Sequence, residues 1–315
     1  MKQLLKYCIV ILCITAAIAG CCISEKKETG AFSDRMRISL ILPHCDYSYW
    51  ATLGNGLCDR AADLGLDVKT YIPNLNYNVE LITELILQQV ATQVDAIVVQ
   101  GIDDPGYIAA LQSAQEAGIQ IALVDTNLQN FQADLYIGTD NYKAGQVMGE
   151  KLIELTGGNS QSVVISGAPN YPNLEQRIQG IQNVIQSYPN IQLERVEYCQ
   201  YEPIEIMECY HRIARESPQI DTLICVEGTG GQTLGQTDRR MFRHIIGFDD
   251  TVDTLSGIRN GIIDGVIVQQ NYEMGSICAE QLSKWWHTGS YDQSVIYTSV
   301  GWITAEELDS NDEHK

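Results

Sequence analysis

The feature that most constrains the fold of this sequence is a regular alternation of short apolar runs with amphipathic segments, which begins at Met36. The runs at 37–43 (RISLILP) and 96–100 (AIVVQ) are apolar at nearly every position. Strands that are buried on both faces of a parallel sheet have this composition. Between the runs, apolar residues recur at helical spacing, as they do from 53 to 64. The alternation predicts an α/β fold built on doubly wound parallel sheets.

The alternation continues over more residues than one small domain holds, and it falls into two units of similar size that meet near Gly138. Hydrophobic residues make up 45% of the chain, enough to give each unit a core of its own. We therefore expect two lobes instead of one large sheet.

The first residues have the composition of an export signal. Lys2 and Lys6 precede an apolar run at 7–18, and small residues follow it. The run is too short for a stable membrane span. Residues 18–21 (IAGC) resemble a bacterial lipobox, and this resemblance implies cleavage before Cys21 and acylation of that cysteine. We expect 1–20 to be a lipoprotein signal, 21–35 a flexible polar tether, and the protein to be extracytoplasmic, anchored to the cell membrane through lipidated Cys21.

The charge balance argues against nucleic acid as a partner. The chain has 20 Lys and Arg against 40 Asp and Glu, a net charge of −20. Loss of the two lysines in the signal gives 18 − 40 = −22 for the mature chain. An acidic surface repels nucleic acid and anionic lipid headgroups. There is also no cysteine–histidine cluster with zinc spacing, so we expect no metal and no cofactor.

Eight of the ten cysteines remain after removal of the signal. Two pairs are close in sequence, and an exported domain can oxidise such pairs: Cys45 with Cys58, and Cys199 with Cys209. The sequence alone leaves the pairing open. Two further cysteines lie in apolar segments and are predicted to be core residues, namely Cys225 and Cys278.

Ligands of open parallel sheets bind at the carboxyl ends of the strands. The segments at these ends are 44–50, 100–104, 125–127, 167–171, 198–201, 227–229, 249 and 269–271. They are rich in Asp, Asn, Gln and aromatic residues. Polar planar side chains bind paired hydroxyls, and aromatic faces cover the C–H side of a sugar ring. This mixture favours a neutral polyol over a phosphate or a lipid.

Several short motifs, in their order and spacing, resemble the ribose- and galactose-binding branch of the type I periplasmic binding proteins, to which the ligand lobes of LacI-type repressors are related. The motifs extend over residues 36–305 and are Tyr47-Ser48-Tyr49-Trp50 with Gly56, Asp95-Ala96-Ile97-Val98-Val99, Ala117-Gly118-Ile119 with Val124-Asp125, Gly138-Thr139-Asp140-Asn141 with Ala144-Gly145, Arg177 with Gly180, Gly247-Phe248-Asp249, and Val268-Gln269 with Met274-Gly275. The resemblance implies two doubly wound parallel-sheet lobes joined by a multi-strand hinge. The first lobe would be 36–138 plus 270–298, and the second 139–269 plus 299–308.

In the first lobe, the resemblance implies that Tyr49 and Trp50 stack on the ligand and that Asp125 accepts hydrogen bonds from sugar hydroxyls. His44, at the end of the first predicted strand, is a further candidate. Each has a structural alternative: the two aromatic residues could pack within the lobe, and Asp125 could cap a turn.

In the second lobe, the resemblance implies that Arg177 binds a ring oxygen or hydroxyl and that Asp249 and Gln269 close the polar ring near the hinge. Glu227 is a further candidate. As alternatives, Arg177 could face solvent beside Glu175, and Asp249 could cap the helix that follows it.

Two departures from the family's pattern bear on the ligand. The asparagine and proline of the family's first turn are Tyr47 and Ser48 here, and its asparagine–aspartate pair in the second lobe is replaced around 227–230 (EGTG). The pocket is therefore not a copy of a ribose site. A sugar is the predicted class, and which sugar stays open.

We predict a binding protein that delivers a solute to the permease of an ABC-type importer. The alternative is a co-receptor for a membrane sensor histidine kinase, because 48–50 with Gly56 also resembles the periplasmic partner of the trimethylamine-oxide sensor kinase. A transcription regulator would need a basic helix-turn-helix where the signal and tether stand. An enzyme is disfavoured, since the sequence has no GxSxG, Walker loop or HExxH, and no GxGxxG after the first strand.

Overall fold

Two six-stranded sheets organise the described part of the chain in this computed structural model. The structure describes residues 35–312 except 45–47, 76, 168, 170, 200 and 201, and it gives no side chains for 309–312. The predicted signal at 1–20, the lipidation site Cys21 and the tether up to residue 34 lie outside the described residues, as do Cys45 and Tyr47.

The strands are β1 Arg37–Ile41, β2 Asp67–Tyr71, β3 Ala96–Gln100, β4 Gln120–Asp125, β5 Leu135–Thr139, β6 Ser160–Ser166, β7 Ile191–Tyr198, β8 Thr222–Cys225, β9 His244–Phe248, β10 Gly265–Gln269, β11 Val295–Thr298 and β12 Val300–Ile303. The helices are α1 Ser48–Asp63, α2 Val79–Thr92, α3 Pro105–Glu116, α4 Asn141–Thr156, α5 Pro172–Ile185, α6 Pro203–Glu216, α7 Gly228–Leu234, α8 Val252–Arg259, α9 Asn271–Thr288 and α10 Ala305–Asp312, with a 3₁₀ turn at Arg239–Met241. The predicted α/β alternation is confirmed.

The first sheet has the strand order β11-β5-β4-β3-β1-β2, and all of its described pairings are parallel. The second sheet has the order β12-β10-β9-β8-β6-β7. Each sheet reverses its winding direction beside its first strand, β1 or β6. The carboxyl ends of the neighbouring strands therefore open a crevice at this point, where ligands of such sheets bind.

One strand departs from the predicted parallel sheets, because β12 pairs with β10 in the antiparallel direction. A single residue, Ser299, separates β12 from β11 in the first sheet. The chain leaves the carboxyl edge of the first sheet and enters the second at its carboxyl edge. It must then run against the other strands of the second sheet.

The chain passes between the lobes three times. It leaves β5 for α4 at 139–141, returns from β10 to α9 at 269–271, and crosses again from β11 to β12 at 298–300. All three passages lie at carboxyl ends of strands. The hinge is therefore next to the strand ends where the candidate ligand residues lie.

Apolar clusters fill both faces of each sheet, as expected for strands that helices cover on both sides. Cys225 and Cys278 are fully buried in these clusters, which confirms their prediction as core residues. The five described cysteines are free thiols in the structure.

Two helix pairs approach so closely that glycine is required at their crossings. In the first lobe, a Cβ at Gly56 of α1 would overlap the backbone oxygen of Tyr272, and one at Gly275 of α9 would overlap that of Leu53. In the second lobe, Gly145 of α4 meets the backbone of Arg177 in α5 in the same way. These contacts hold α1 against α9 and α5 against α4, the two helices that follow hinge crossings.

Candidate functional site

The two sheets are tied together at their carboxyl edges by a buried hydrogen bond. Thr139, the last residue of β5 in the first sheet, donates from Oγ1 to Oε1 of Gln269, the last residue of β10 in the second sheet, at 2.7 Å. Both side chains are buried. The strand ends of the two lobes therefore face one another across the hinge.

Asp125, at the end of β4, forms the polar centre of the first lobe. Its Oδ1 accepts a hydrogen bond from the hydroxyl of Tyr49 at 2.7 Å. Its Oδ2 accepts from Gln100 Nε2 at 3.0 Å and from Thr126 Oγ1 at 2.7 Å. Tyr136 donates to the backbone oxygen of Asp125 at 3.0 Å. These contacts fix the carboxylate at the edge of the sheet, which is more than the turn-capping alternative accounts for.

Tyr49 and Trp50 begin helix α1 and are largely buried in the core cluster of the first lobe. Their rings meet edge to face with centroids 5.1 Å apart. The packing alternative therefore holds for much of both side chains. Their polar atoms nevertheless point to the strand ends, since the Tyr49 hydroxyl reaches Asp125 and Trp50 Nε1 donates to the hydroxyl of Tyr77 at 2.9 Å.

Tyr77 lies in the turn after β2, with a backbone φ of 54°. Its ring also meets His44 edge to face, with centroids 5.4 Å apart, so this turn brings His44 and Trp50 into one cluster. Burial raises the pKa of the Tyr77 hydroxyl most, and the charges of Asp125, Glu227 and Asp249 raise it further. The last two acids belong to the second sheet's strand ends, so Tyr77 lies within electrostatic reach of both lobes.

Arg177 in helix α5 is 3% exposed, which rules out the solvent-facing alternative. Its Nε donates to Asn141 Oδ1 at 2.8 Å, its Nη1 to the backbone oxygen of Val226 at 2.8 Å, and its Nη2 to Gln269 Oε1 at 3.3 Å. The guanidinium also lies over the ring of Phe248, 3.7 Å from the centroid. All three acceptors are neutral, so the positive charge of Arg177 is held in place without being neutralised by them.

Asp249 follows β9 and accepts a hydrogen bond from Gln269 Nε2 at 3.0 Å. The helix that follows is capped by Thr251, whose side chain accepts from the backbone of Thr254, so the capping alternative for Asp249 is wrong. Asp249 and Asp125 have the same left-handed backbone, with φ of 63° and 66°. Such a backbone costs free energy in a residue other than glycine, and it is concentrated at functional sites.

Glu227 caps helix α7, because its two carboxylate oxygens accept from the backbone N–H groups of Thr229 at 2.7 Å and Gly230 at 2.6 Å. Burial raises the pKa of Glu227 to about 7, although the two backbone donors act in the opposite direction. The sequence predicted Glu227 at a strand end. The structure adds that Glu227 caps α7, whose first turn is rich in glycine.

The charges at the strand ends act across the lobes. Burial raises the pKa of the Tyr49 phenol, and the charge of Asp125 and then that of Asp249 raise it further. The structure thus brings the eight sequence-predicted residues to the facing carboxyl edges, seven of them in two hydrogen-bonded groups and one aromatic group. The groups are Tyr49–Asp125, Arg177–Gln269–Asp249 and His44–Trp50, the last joined through Tyr77, with Glu227 within electrostatic reach of Tyr77.

Sequence reasoning missed Tyr77 and did not assign a role to Asn141. The rule that assigns ligand residues to strand ends, applied to β2, would have included the turn at 72–78. Asn141 starts α4 within an Asn-Tyr-x-x-Gly motif that recurs at Asn271 in α9. Asn271 donates from Nδ2 to the backbone oxygen of Tyr49 at 3.3 Å, so the recurring asparagine supports one half of the site in each lobe.

Among the described residues, no group of three or more His, Cys, Asp or Glu side chains could hold a metal ion. In the same part of the chain, no helix is both long enough and apolar enough to cross a membrane.

The chain is similar in sequence to a known family and to a known protein. Residues 38–286 match the family described as periplasmic binding protein domain. The chain is 23% identical over 273 residues to the D-apiose import binding protein of Actinobacillus succinogenes. The aligned part covers 85% of this chain and 87% of that protein.

Two solved structures are similar in fold. The glucose-galactose binding protein GanP from Geobacillus stearothermophilus has a TM-score of 0.80 at 22% identity, with 87% of this chain and 99% of that chain covered. The structure of the XylFII–LytSN complex has a TM-score of 0.76 at 25% identity, with 86% of this chain and 98% of that chain covered.

Proposed function

Because the chain belongs to the periplasmic binding protein domain family, we propose that it captures a small polar solute, a sugar, between its two lobes for an ABC-type importer. The observation that carries the proposal is the pair of polar groups on facing strand ends. Asp125 with Tyr49 forms one, and Arg177 with Gln269 and Asp249 forms the other. A solute between them would contact both lobes.

The chemistry of these groups suits a polyol. Carboxylates accept hydrogen bonds from hydroxyls, and a guanidinium donates to ring or hydroxyl oxygens in charge-assisted bonds. Trp50 and His44 would add aromatic surface, and Glu227 would add a further acid. The relatives that match most of the chain include proteins named for import of D-apiose and of ribose, which supports a sugar as the ligand class.

Closure of the lobes is the proposed mechanism. A ligand that touches both lobes makes more contacts in the closed form, and this difference in affinity shifts the population toward closure. The three chain crossings of the hinge lie next to the candidate site. Small rotations there would change the distance between the two polar groups.

We also propose the boundaries of the lobes, the signal and the anchor. The lobes would comprise 36–138 plus 270–298 and 139–269 plus 299–308. Residues 1–20 would direct export, and lipidated Cys21 would anchor the protein outside the cytoplasm. The hydrogen-bonded acids would serve hydroxyl recognition and not catalysis.

Replacement of Cys21 by serine should move the protein from the membrane to the soluble fraction, and unchanged membrane attachment would count against the anchor.

A second candidate is a ligand-sensing co-receptor for a membrane sensor kinase. The fold is similar to XylFII, which has been solved in complex with LytSN. Capture of partners from host membranes with the ligand-loaded protein separates the two roles. Recovery of a permease favours import, and recovery of a kinase favours sensing.

The ligand class is tested by thermal shift of the purified protein against pentoses, hexoses, polyols, amines and amino acids. Stabilisation grows with ligand concentration relative to the dissociation constant. We expect a pentose, hexose or related polyol to give the largest shift. A large shift with an amine or amino acid, and none with carbohydrates, would overturn the sugar class while leaving the fold untouched.

The site is tested with Asp125→Ala and Arg177→Ala, each of which should weaken ligand binding at least about tenfold, the loss of about 1.4 kcal/mol. Arg177→Lys provides a variant that keeps the charge and loses the planar fork. Arg60→Ala is the matched control, since Arg60 of α1 forms a surface ion pair with Glu280 of α9. Normal affinity in folded Asp125 and Arg177 variants would remove the proposed site.

A further inference from the structure

Two cysteines of the second lobe lie side by side behind its outer strand. Cys199 follows β7, and its backbone N–H donates to the oxygen of Ser166 at 3.0 Å. Cys209 lies on the buried face of α6. Both belong to the same apolar cluster, are 5% and 3% exposed, and line the same cavity. The pair is therefore held together by a strand end and a helix that both pack on the core.

A cavity of about 480 Å³ leads to this pair. Besides the two cysteines, its walls include Glu205, Glu208, His211 and Arg212. The volume lies in the range of small-molecule sites. The cavity gives a small polar reagent a route to thiols that are otherwise covered by the fold.

The surroundings of the two thiols differ. Arg212 Nη2 donates to the sulfur of Cys209 at 3.5 Å, and Arg212 is itself held by Glu197 at 3.1 Å. The neighbouring Cys199 thiol lowers the pKa of Cys209, and the Arg212 charge lowers it further, against the effect of burial. The neighbouring Cys209 thiol and then burial raise the pKa of Cys199. Because the thiolate is the nucleophile in disulfide exchange, Cys209 is the attacking residue of the pair.

We infer that Cys199 and Cys209 are a modification site that closes to a disulfide by exchange with a small external disulfide admitted through this cavity. The Cys209 thiolate attacks one sulfur of the external disulfide, forms a mixed disulfide and releases one thiolate, which takes up a proton. The Cys199 thiol then loses its proton, attacks the Cys209 sulfur and expels the second thiol. The external disulfide gains two electrons and two protons, and the cysteine pair loses them.

The other described cysteines are placed differently. Cys225 is fully buried, and its thiol donates to the backbone oxygen of Glu227 at 3.4 Å. Cys58 and Cys278 belong to the first lobe, and the thiol of Cys58 lies 3.9 Å from Thr70 Oγ1. We therefore assign the exchange to the 199–209 pair, and Cys58→Ser is a matched control because its loss leaves that pair intact.

The test is mass spectrometry of the purified full chain after treatment with bis(2-hydroxyethyl) disulfide, alkylation and tryptic digestion. Cleavage after Arg195 and Arg212 yields one peptide, 196–212, that contains both cysteines and no other. Closure leaves this peptide unalkylated and lowers its mass by about 2 Da, since two hydrogens are lost. Dithiothreitol should restore both alkylation sites, and Cys58→Ser should behave as the wild type.

Single variants test the order of attack. Cys199→Ser should trap one hydroxyethyl adduct on Cys209, because no second thiol resolves it. Cys209→Ser should gain no adduct on Cys199. In the wild type, the closed loop of eleven residues should raise the melting temperature by about 5–10 °C. Two alkylatable thiols in peptide 196–212 after oxidation, or capture of Cys225 instead, would overturn the inference.

Discussion

Replacement of Gly275 by alanine is expected to force helices α1 and α9 apart. A Cβ at this position would overlap the backbone oxygen of Leu53 and lie 2.6 Å from the backbone nitrogen of Leu57. Both are main-chain atoms of the facing helix, so no side-chain rotation relieves the overlap. Ordinary contact begins at 3.4 Å, and the Leu57 contact alone therefore requires a separation of 3.4 − 2.6 = 0.8 Å.

The separation has a cost that can be bounded. Overpacking of a core interface costs about 1–3 kcal/mol, and a gap of this size forfeits about a quarter to a half of the dispersion attraction of the atoms it separates. Those atoms include the buried side chains of Leu53, Leu57 and Met274. The higher helix propensity of alanine returns about 1 kcal/mol. The overpacking cost less this return is about 0–2 kcal/mol, and the lost dispersion adds to it, so we expect a net loss of about 1–3 kcal/mol in the free energy of unfolding.

The displacement should also reach the site. Helix α1 carries Tyr49, whose hydroxyl lies 2.7 Å from Asp125. A shift of 0.8 Å, obtained above from the Gly275 contacts, would stretch this bond beyond good geometry. Ligand affinity should fall together with stability, even though Gly275 itself contacts the backbone of α1 and not the strand ends.

Urea unfolding followed by circular dichroism measures the effect. The control is Gly54→Ala in α1, where an added Cβ would first meet the tip of the Leu42 side chain at 3.2 Å. That tip can move, so this variant should stay within about 1 kcal/mol of the wild type. If Gly275→Ala proves as stable as Gly54→Ala, with an unchanged denaturant slope, the close approach does not constrain the helices as argued.

Two further predictions concern the polar groups. Glu227 has a pKa raised from 4.5 to about 7 in the folded protein, so its contribution to stability is present below about pH 4.5 and is lost as the pH rises through about 7. Between about pH 5 and about pH 8 the wild type should therefore lose up to about 3 kcal/mol of unfolding free energy that Glu227→Gln does not lose. Parallel pH profiles of the two proteins would refute this. Tyr49→Phe removes the donor to Asp125 while keeping the ring, and it should lower the unfolding free energy by about 1.5–3 kcal/mol. A chemical denaturation midpoint equal to that of the wild type would show that the bond contributes nothing.

Much of the fold follows from local sequence. The strands β1, β3 and β4 are mostly apolar, as burial on both faces of a sheet requires. Asn78 before an amphipathic run predicts a helix start, and in the structure its side chain accepts from the backbone of Leu81 at 2.9 Å. These features depend on neighbours within one turn or one strand.

The remaining elements depend on distant parts of the chain. Strands β11 and β12 are half exposed and of mixed composition, and β11 is fixed by pairing with β5, far away in sequence. The sequence predicts a helix at about 231–240. The structure has one at Gly228–Leu234 instead, because Glu227 caps a glycine-rich start that helix propensity disfavours. Tyr77 follows β2, so the strand-end rule reaches it from the sequence, but its left-handed backbone does not follow from its neighbours.

The grouping of most candidate residues was predictable because they lie where parallel strands end, whereas Arg177 lies within helix α5. What the sequence could not give is their connection. The bond from Thr139 to Gln269 joins residues 130 positions apart, and the bonds of Arg177 extend from α4 to β10. Such pairs exist only after two lobes have assembled around the hinge.

The path of the chain has a consequence for the order in which the protein matures during synthesis. The first lobe lacks α9 and β11 until residues 271–298 emerge, after all of β6–β10. Until then the edge of β5 has no partner, and the groove of α1 around Gly56 is uncovered. Open edges and bare apolar faces invite association with other chains. The half that is made first is therefore sealed last, by residues 271–298, and a nascent chain of this topology stays vulnerable until every strand of the second sheet except β12 has been made.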